Sequence, residues 1–147
     1  MPLRSLSIFV GTAHRGLIAA AACALLLLAS CGRPQGREYF QLANDEGEYS
    51  FDIDLSDSLA SYDISFYTEI DRPLWGRDTL VCFPLQVVWR SPSGRYFSET
   101  VYYPAAESSV LYRSGVVPSE LGPWNIAVTI PQQPPRLRGL GLISRRN

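Results

Sequence analysis

The residues of this chain that could do chemistry are few, and the densest group of them is acidic. Six carboxylates fall within thirteen positions: Asp45, Glu46, Glu48, Asp52, Asp54 and Asp57. Paired carboxylates are what glycoside hydrolysis requires, and the stretch from Asp52 to Asp63 has the length of a calcium-binding loop. Its sixth position is Asp57, however, where that loop requires glycine. The acids alternate with Tyr49, Phe51, Ile53 and Leu55, which favours a half-buried strand with an acidic solvent face.

The first 30 residues have the composition of an export signal. Arg4, His14 and Arg15 are followed by an apolar run over residues 16–28, and no acidic residue occurs before Glu38. A run of 13 residues suits the apolar region of a secretory signal and is too short to span a bilayer as a helix. We therefore predict a signal-peptide helix within residues 1–30.

Cys31 follows this run directly and is the candidate modification site. The sequence Leu28-Ala29-Ser30-Cys31-Gly32 resembles the lipobox of bacterial lipoprotein precursors. The resemblance implies a diacylglyceryl thioether on Cys31, cleavage after Ser30 and a membrane anchor of two or three acyl chains. The alternative is an ordinary signal peptide with an incidental cysteine. Residues 31–38, rich in Gly, Arg, Pro and Gln, are predicted to be a flexible tether.

The residue types that are missing exclude most catalytic chemistry from residues 31–147. His14 is the only histidine and lies in the predicted leader, and the chain has no lysine. Histidine-dependent triads, histidine metal ligands and a P-loop are excluded on this ground, so we predict no enzyme activity, no metal and no cofactor. Cys82 has no partner for an intramolecular disulfide, and we predict that it is a small buried apolar residue. Within residues 31–147, 11 Arg against 14 acids give a charge of −3, which does not favour binding of nucleic acid.

Residues 39–147 show repeated strand signals with turns between them. Alternation of apolar and polar residues recurs over residues 48–55, 62–70, 80–90 and 124–130, and further strand signals occur at 39–42, 95–103, 110–112 and 137–143. Ser91-Pro92-Ser93-Gly94 has the composition of a hairpin turn. No stretch shows a sustained helical period. The pattern predicts one all-β domain, an antiparallel β-sandwich of about seven strands.

The aromatic residues divide into core candidates and one binding candidate. Trp89 and Trp124 are in phase with the apolar residues Val87 and Ile126, so we expect them in the core. Trp75 lies between Pro73 and Arg77 in a loop by composition, where it would either stack on a sugar or a partner protein or fold back on the sandwich edge. The places of Tyr96, Tyr102 and Tyr103 are left open by the sequence.

Several short motifs together resemble a known family. They are Tyr62-Asp63-Ile64, Leu85-Gln86-Val87-Val88, Ser91-Pro92-Ser93-Gly94, Thr100-Val101, Gly122-Pro123-Trp124 and the stretch over residues 137–143. They are similar to the gliding-motility lipoprotein H family of Bacteroidetes, although Trp124 stands where that family usually has tyrosine. The resemblance implies a periplasm-facing lipoprotein that supports an envelope machine, and it supplies no catalytic residues.

Two functions are compatible with this sequence. The first is an interaction or assembly lipoprotein of the cell envelope, held at a membrane through Cys31 and docking an envelope protein. The second is a β-sandwich that binds glycan or peptidoglycan, with Trp75 as the binding residue. Bacteroidetes lipoproteins bound for the cell surface tend to carry acidic residues just after this cysteine, so the resemblance implies that the basic stretch over residues 32–37 belongs to an anchor facing the periplasm. The choice between inner and outer membrane is open.

Overall fold

Eight antiparallel strands make up the part of the chain that a computed structural model describes, which is residues 35–72 and 80–147. The strands are β1 (Gly36–Leu42), β2 (Glu48–Asp54), β3 (Tyr62–Ile70), β4 (Cys82–Arg90), β5 (Tyr96–Pro104), β6 (Ser109–Val116), β7 (Pro123–Thr129) and β8 (Leu137–Arg146). They form two four-stranded sheets, sheet A in the order β1-β8-β3-β6 and sheet B in the order β2-β7-β4-β5. The predicted all-β antiparallel sandwich is confirmed, with eight strands instead of about seven.

The alternation along the strands builds one core between the two sheets. In sheet B the buried positions of β2, β4 and β7 follow the predicted phase, and Trp89 and Trp124 are buried as expected. In sheet A, Ile64 on β3 and Leu142 on β8 are fully enclosed. Burying a side chain of this size contributes roughly 1.5–3 kcal/mol to the free energy of unfolding. Because side chains of both sheets pack in the same core, this burial stabilises both sheets.

Strands β4 and β5 are the one pair adjacent in both sequence and sheet among the strands described. Their register is continuous from Cys82 opposite Pro104 to Arg90 opposite Tyr96. The turn is the predicted Ser91–Gly94 segment, and Gly94 has a φ of 85°, which favours glycine. The hairpin prediction is confirmed.

Strand β1 begins earlier than the sequence predicts. Gly36 already pairs with Arg145 of β8, so residues 36–38, predicted as the end of the tether, belong to the sheet. These residues form a strand because they pair with β8, a long-range contact that local composition does not report. Strand β1 is an edge strand of sheet A.

Cys82 is exposed, and the prediction that it is buried is wrong. Cys82 is the first residue of β4 and has the phase of Gln86 and Arg90, whose side chains turn outward. Its buried neighbour is Phe83. Both sequence neighbours of Cys82 are apolar, so the sequence alone does not show that the strand alternates here. Val81 is in fact largely exposed.

The clustered acidic residues form hydrogen bonds with different partners and do not form one site. Asp52 accepts a hydrogen bond from Asn125 at 2.8 Å, and Asp57 accepts from the Leu59 amide at 2.9 Å and from Arg146 at 3.0 Å. In the described ranges no three His, Cys, Asp or Glu side chains are placed to share a metal ion. In the same ranges no helix is long and apolar enough to cross a membrane.

Candidate functional site

A cleft of about 550 Å³ opens on the side of the sandwich where β5 and β6 are the edge strands of their sheets. We name it the β5–β6 cleft. It is lined by Leu55, Trp89, Phe97, Tyr112, Arg113, Trp124 and residues 114–119 of β6 and the loop after it. Its volume lies in the range of ligand and partner pockets.

The aromatic wall of the cleft follows from the register of sheet B. Trp89 lies directly opposite Phe97 in the β4–β5 hairpin, and their rings stack with centroids 5.7 Å apart. Trp124 on β7 meets the Trp89 ring edge-on at 6.0 Å, and its Nε1–H donates to the Glu120 carbonyl at 2.9 Å. Trp89 is buried, whereas 42% of Phe97 is exposed, so Phe97 presents aromatic surface at the mouth of the cleft.

Two irregularities in β6 bring consecutive side chains to the cleft. Against β3, the register of β6 shifts between Val116 and Arg113 and again between Arg113 and Leu111. Each shift places one extra residue on β6, which is the definition of a β-bulge. The second bulge lets both Tyr112 and Arg113 line the cleft, whereas in a regular strand successive side chains point to opposite faces.

The first bulge is held by Asp63 of β3. Its Oδ1 accepts a hydrogen bond from the Gly115 amide at 2.8 Å and from the Ser114 hydroxyl at 2.9 Å. Gly115 has a φ of 64°, a conformation that favours glycine. Hydrogen bonds from the Asn147 side chain, the Gly115 amide and the Ser114 hydroxyl hold the pKa of Asp63 below its ordinary value.

A polar network joins the two sheets at this side. The Trp89 Nε1–H donates to the Tyr112 hydroxyl at 3.1 Å, and that hydroxyl donates in turn to Glu99 Oε1. Arg113 Nη2 donates to the same carboxylate oxygen at 2.6 Å. The Arg113 guanidinium carbon lies 5.4 Å from the Phe97 ring centroid and 5.3 Å from that of Tyr112, within the range of cation–π attraction.

Protonation in this network is set by burial and by hydrogen bonds. Burial raises the pKa of Tyr112, and its hydrogen bond to Glu99 raises it further. Burial opposes ionisation of Glu99, but the hydrogen bonds from Tyr112 and Arg113 outweigh it and hold the pKa of Glu99 below its ordinary value. Glu99 and Arg113 are therefore an ionised pair at neutral pH, and Tyr112 keeps its proton.

Arg113 has unused hydrogen-bonding capacity. Its Nε is buried without a hydrogen-bond partner among the described residues. A buried donor without an acceptor costs about 1–3 kcal/mol, so the guanidinium would gain from any rearrangement that brings an acceptor to it. Aromatic rings, a guanidinium and a carboxylate thus lie together at this cleft, and aromatic and Arg side chains are enriched where proteins bind each other.

The sequence predicted two site residues, Cys31 and Trp75, and its core candidates Trp89 and Trp124 line this cleft. Cys31 and Trp75 lie outside the described residues. Of the three tyrosines left open, Tyr103 is buried, and Tyr96 and Tyr102 are exposed on β5. Phe97, Glu99, Tyr112 and Arg113 were not singled out, and no local signal marks them, because they meet only when the edges of two sheets are assembled.

No protein-family model matches this chain, and a search of curated proteins finds no match. The resemblance to the gliding-motility lipoprotein H family therefore stays a prediction from short motifs.

Proposed function

We propose that this chain is a lipid-anchored protein of a bacterial cell envelope that acts as an assembly component by binding an envelope protein partner. The machine it serves would be of the gliding-motility type or a related one. The anchor rests on the lipobox-like sequence that ends at Cys31, and the basic stretch after it favours the periplasmic side. This proposal assigns the chain a binding role and no reaction.

The observation that carries the binding role is the composition of the β5–β6 cleft. Trp, Tyr and Arg are the residue types enriched where proteins bind each other most strongly, and Tyr112 and Arg113 line the cleft beside the buried Trp89. Phe97 adds an exposed ring beside them. A cleft of this kind on a regular β frame offers a preorganised surface, which lowers the entropy lost on binding.

The test is capture of partners from detergent-solubilised membranes with the full chain, compared with three variants. Cys31→Ala removes the proposed anchor, Phe97→Ala removes the exposed ring of the cleft, and Leu42→Ala removes an exposed apolar side chain on β1 as a matched control. We expect a stoichiometric partner with the wild type and with Leu42→Ala. We expect its recovery to fall at least about tenfold with Phe97→Ala, as a loss of about 1.4 kcal/mol would give, and to be lost with Cys31→Ala.

Equal recovery with Phe97→Ala and Leu42→Ala would contradict the role of the cleft. Recovery of the chain from the soluble fraction, with no acyl mass on the peptide containing Cys31, would contradict the anchor. These two results bear on different parts of the proposal and are read separately.

Glycan binding is a second candidate, and the exposed face of Phe97 beside the Arg113 guanidinium favours it. Aromatic faces stack on the apolar faces of sugar rings, and guanidinium groups donate hydrogen bonds to sugar oxygens. Co-sedimentation with insoluble peptidoglycan would separate the two candidates. Sedimentation with peptidoglycan that is lost in Phe97→Ala and kept in Leu42→Ala would support glycan binding. A wild-type chain that remains in the supernatant would contradict it.

A further inference from the structure

The free side of β5 carries an unpaired row of backbone groups. The Ser91 amide donates to the Arg95 carbonyl directly opposite it at 2.8 Å, and the Ala105 amide donates to the Val81 carbonyl at 3.0 Å. Since hydrogen-bonded and non-bonded pairs alternate in an antiparallel ladder, the odd-numbered residues of β5 bond to β4. Tyr96, Ser98, Thr100 and Tyr102 consequently turn their N–H and C=O groups to the free side. No described residue hydrogen-bonds to these groups.

The free edge of β2 is covered. The Gln41 side chain, from β1 in the other sheet, donates to the Ser50 carbonyl at 2.5 Å and accepts from the Ser50 amide at 3.0 Å. The Asn44 side chain does the same at Glu48, at 2.8 and 3.2 Å. Two side-chain amides thus take the place that a further strand would occupy.

The free edges of β6 and β1 also have features that prevent pairing with another chain. The free side of β6 is broken by its two bulges, and bulges prevent pairing with another chain. The alternate residues of β1 that face away from β8 include the charged Glu38. The corresponding row on β5 consists of four uncharged residues in a strand of nine, and this strand has no bulge against β4.

The sequence of this row reads almost the same in both directions. Tyr96 and Ser98 precede Glu99 at distances of three and one residues, and Tyr102 and Thr100 follow it at the same distances. We infer that β5 pairs antiparallel with β5 of a second copy of this chain, around a twofold axis at Glu99. Tyr96 then lies beside Tyr102 of the second copy, and Ser98 beside Thr100.

This pairing uses the groups that are free. Each copy contributes four residues with edge-facing amides and carbonyls, which allows about eight hydrogen bonds across the axis. Tyr–Tyr and Ser–Thr neighbours on adjacent strands are favourable cross-strand pairs. The two sheets B become one continuous sheet of eight strands, and the proteins meet as a symmetric dimer.

Glu99 lies on the axis, where two like charges would meet. Directly opposed carboxylates destabilise strand pairing. Each Glu99, however, is already bonded within its own chain to Arg113 at 2.6 Å and to the Tyr112 hydroxyl. What meets at the axis is therefore two ion pairs of zero net charge.

The inference does not depend on partner binding at the cleft, and its test is separate. The full chain is purified in detergent and its copy number is measured by sedimentation equilibrium. Thr100→Pro removes an edge-facing amide, and Pro is tolerated at such edge positions. Thr100→Lys places a charge on the edge, and Thr129→Lys makes the same change on the outer face of the interior strand β7 as a control.

We expect two copies per particle for the wild type and for Thr129→Lys. We expect a dissociation constant at least about tenfold higher for Thr100→Pro and Thr100→Lys. Photo-oxidative tyrosine cross-linking should join two wild-type chains, because Tyr96 and Tyr102 of the second copy are adjacent. The cross-link should be lost in Tyr96→Phe and kept in Tyr39→Phe.

One copy per particle at a chain concentration of about 100 μM would overturn the inference. So would two copies that persist in both Thr100 variants, since another contact, such as the acyl anchors in one micelle, would then hold them. If Thr100→Pro did not unfold cooperatively on heating, this variant would not be folded. The copy number of Thr100→Lys and the tyrosine cross-link would then decide the result.

Discussion

Gly141 lies on β8 directly between Phe40 of β1 and Tyr67 of β3 in the register of sheet A. The two rings stack across it, with centroids 5.8 Å apart and planes inclined by 19°. A Cβ atom at this position would overlap the Tyr67 ring. Side-chain packing therefore requires glycine here, since the backbone of Gly141 does not adopt a conformation that favours glycine.

We expect Gly141→Ala to lower the free energy of unfolding by roughly 1–3 kcal/mol, because the Tyr67 ring must leave its place. Gly36→Ala in β1 is the control, since nothing lies within 4 Å of its added Cβ. Urea unfolding followed by tyrosine fluorescence measures both. A Gly141→Ala protein as stable as Gly36→Ala would show that the ring stack does not restrict this position.

Glu120 joins the β4–β5 turn to the segment before β7. Its carboxylate accepts hydrogen bonds from the Ser93 hydroxyl at 2.9 Å, the Ser93 amide at 3.1 Å and Arg95 Nε at 2.7 Å. The Ser93 hydroxyl and the Arg95 guanidinium lower the pKa of Glu120 from 4.5 to about 2. Because the pKa is lowered on folding, its stabilisation is complete above about pH 4.5 and is lost as the pH falls towards 2.

We therefore expect Glu120→Gln to lower the midpoint of thermal unfolding at about pH 7, and the difference from wild type to shrink as the pH is lowered from about 5 to 2. Glu46→Gln, at an exposed position before β2, is the control and should follow the wild type throughout. A difference that stays constant with pH would mean that the charge of Glu120 is not the stabilising feature.

At the scale of elements, the Gln41 side chain links the two edge strands on the β1–β2 side. The Gln41 amide makes two hydrogen bonds to Ser50 and so links an edge strand of sheet A to the edge strand of sheet B. We expect Gln41→Ala to lower the free energy of unfolding by about 1–2 kcal/mol. It should also raise the rate of hydrogen exchange of the Ser50 amide. Gln132→Ala, in the exposed segment before β8, should change neither, and unchanged exchange at Ser50 in Gln41→Ala would contradict the role of the cap.

The strands were predictable where alternation is regular. Over residues 48–55 and 124–130 the period of two gives the buried face correctly, because both strands have one buried and one solvated side. Strand β6 was predicted only as a short apolar piece at residues 110–112. Its two bulges break the period, so Tyr112 and Arg113 both reach the cleft and the alternation that marks a strand is missing.

The cleft itself could not be predicted, since it depends on strand order. Apart from β4 and β5, each strand described is followed in sequence by a strand of the other sheet. Register between distant strands leaves no local mark in the sequence. Phe97 and Glu99 come from β5 and Tyr112 from β6, which belong to different sheets, so only the assembled sandwich brings them together.

At the scale of the whole molecule, both sheets contribute side chains to one core. Leu142 on the central strand β8 is fully buried, and it belongs to the same cluster as Ile126 of the opposite sheet. We expect Leu142→Ala to lower the free energy of unfolding by about 2–5 kcal/mol through lost contacts and the cavity left behind. Leu42→Ala, at a position 74% exposed, should change it by less than about 0.5 kcal/mol. Chemical denaturation measures both, and equal losses would contradict a single shared core.

Strand β8 lies between β1 and β3, and every other strand of sheet A precedes it in the sequence. A chain under synthesis that has reached residue 136 therefore holds β1 and β3 with no strand to join them. Sheet A is completed only when residues 137–146 pair with both strands. The joining of β1 and β3 in one sheet therefore depends on the strand that is synthesised last among those described.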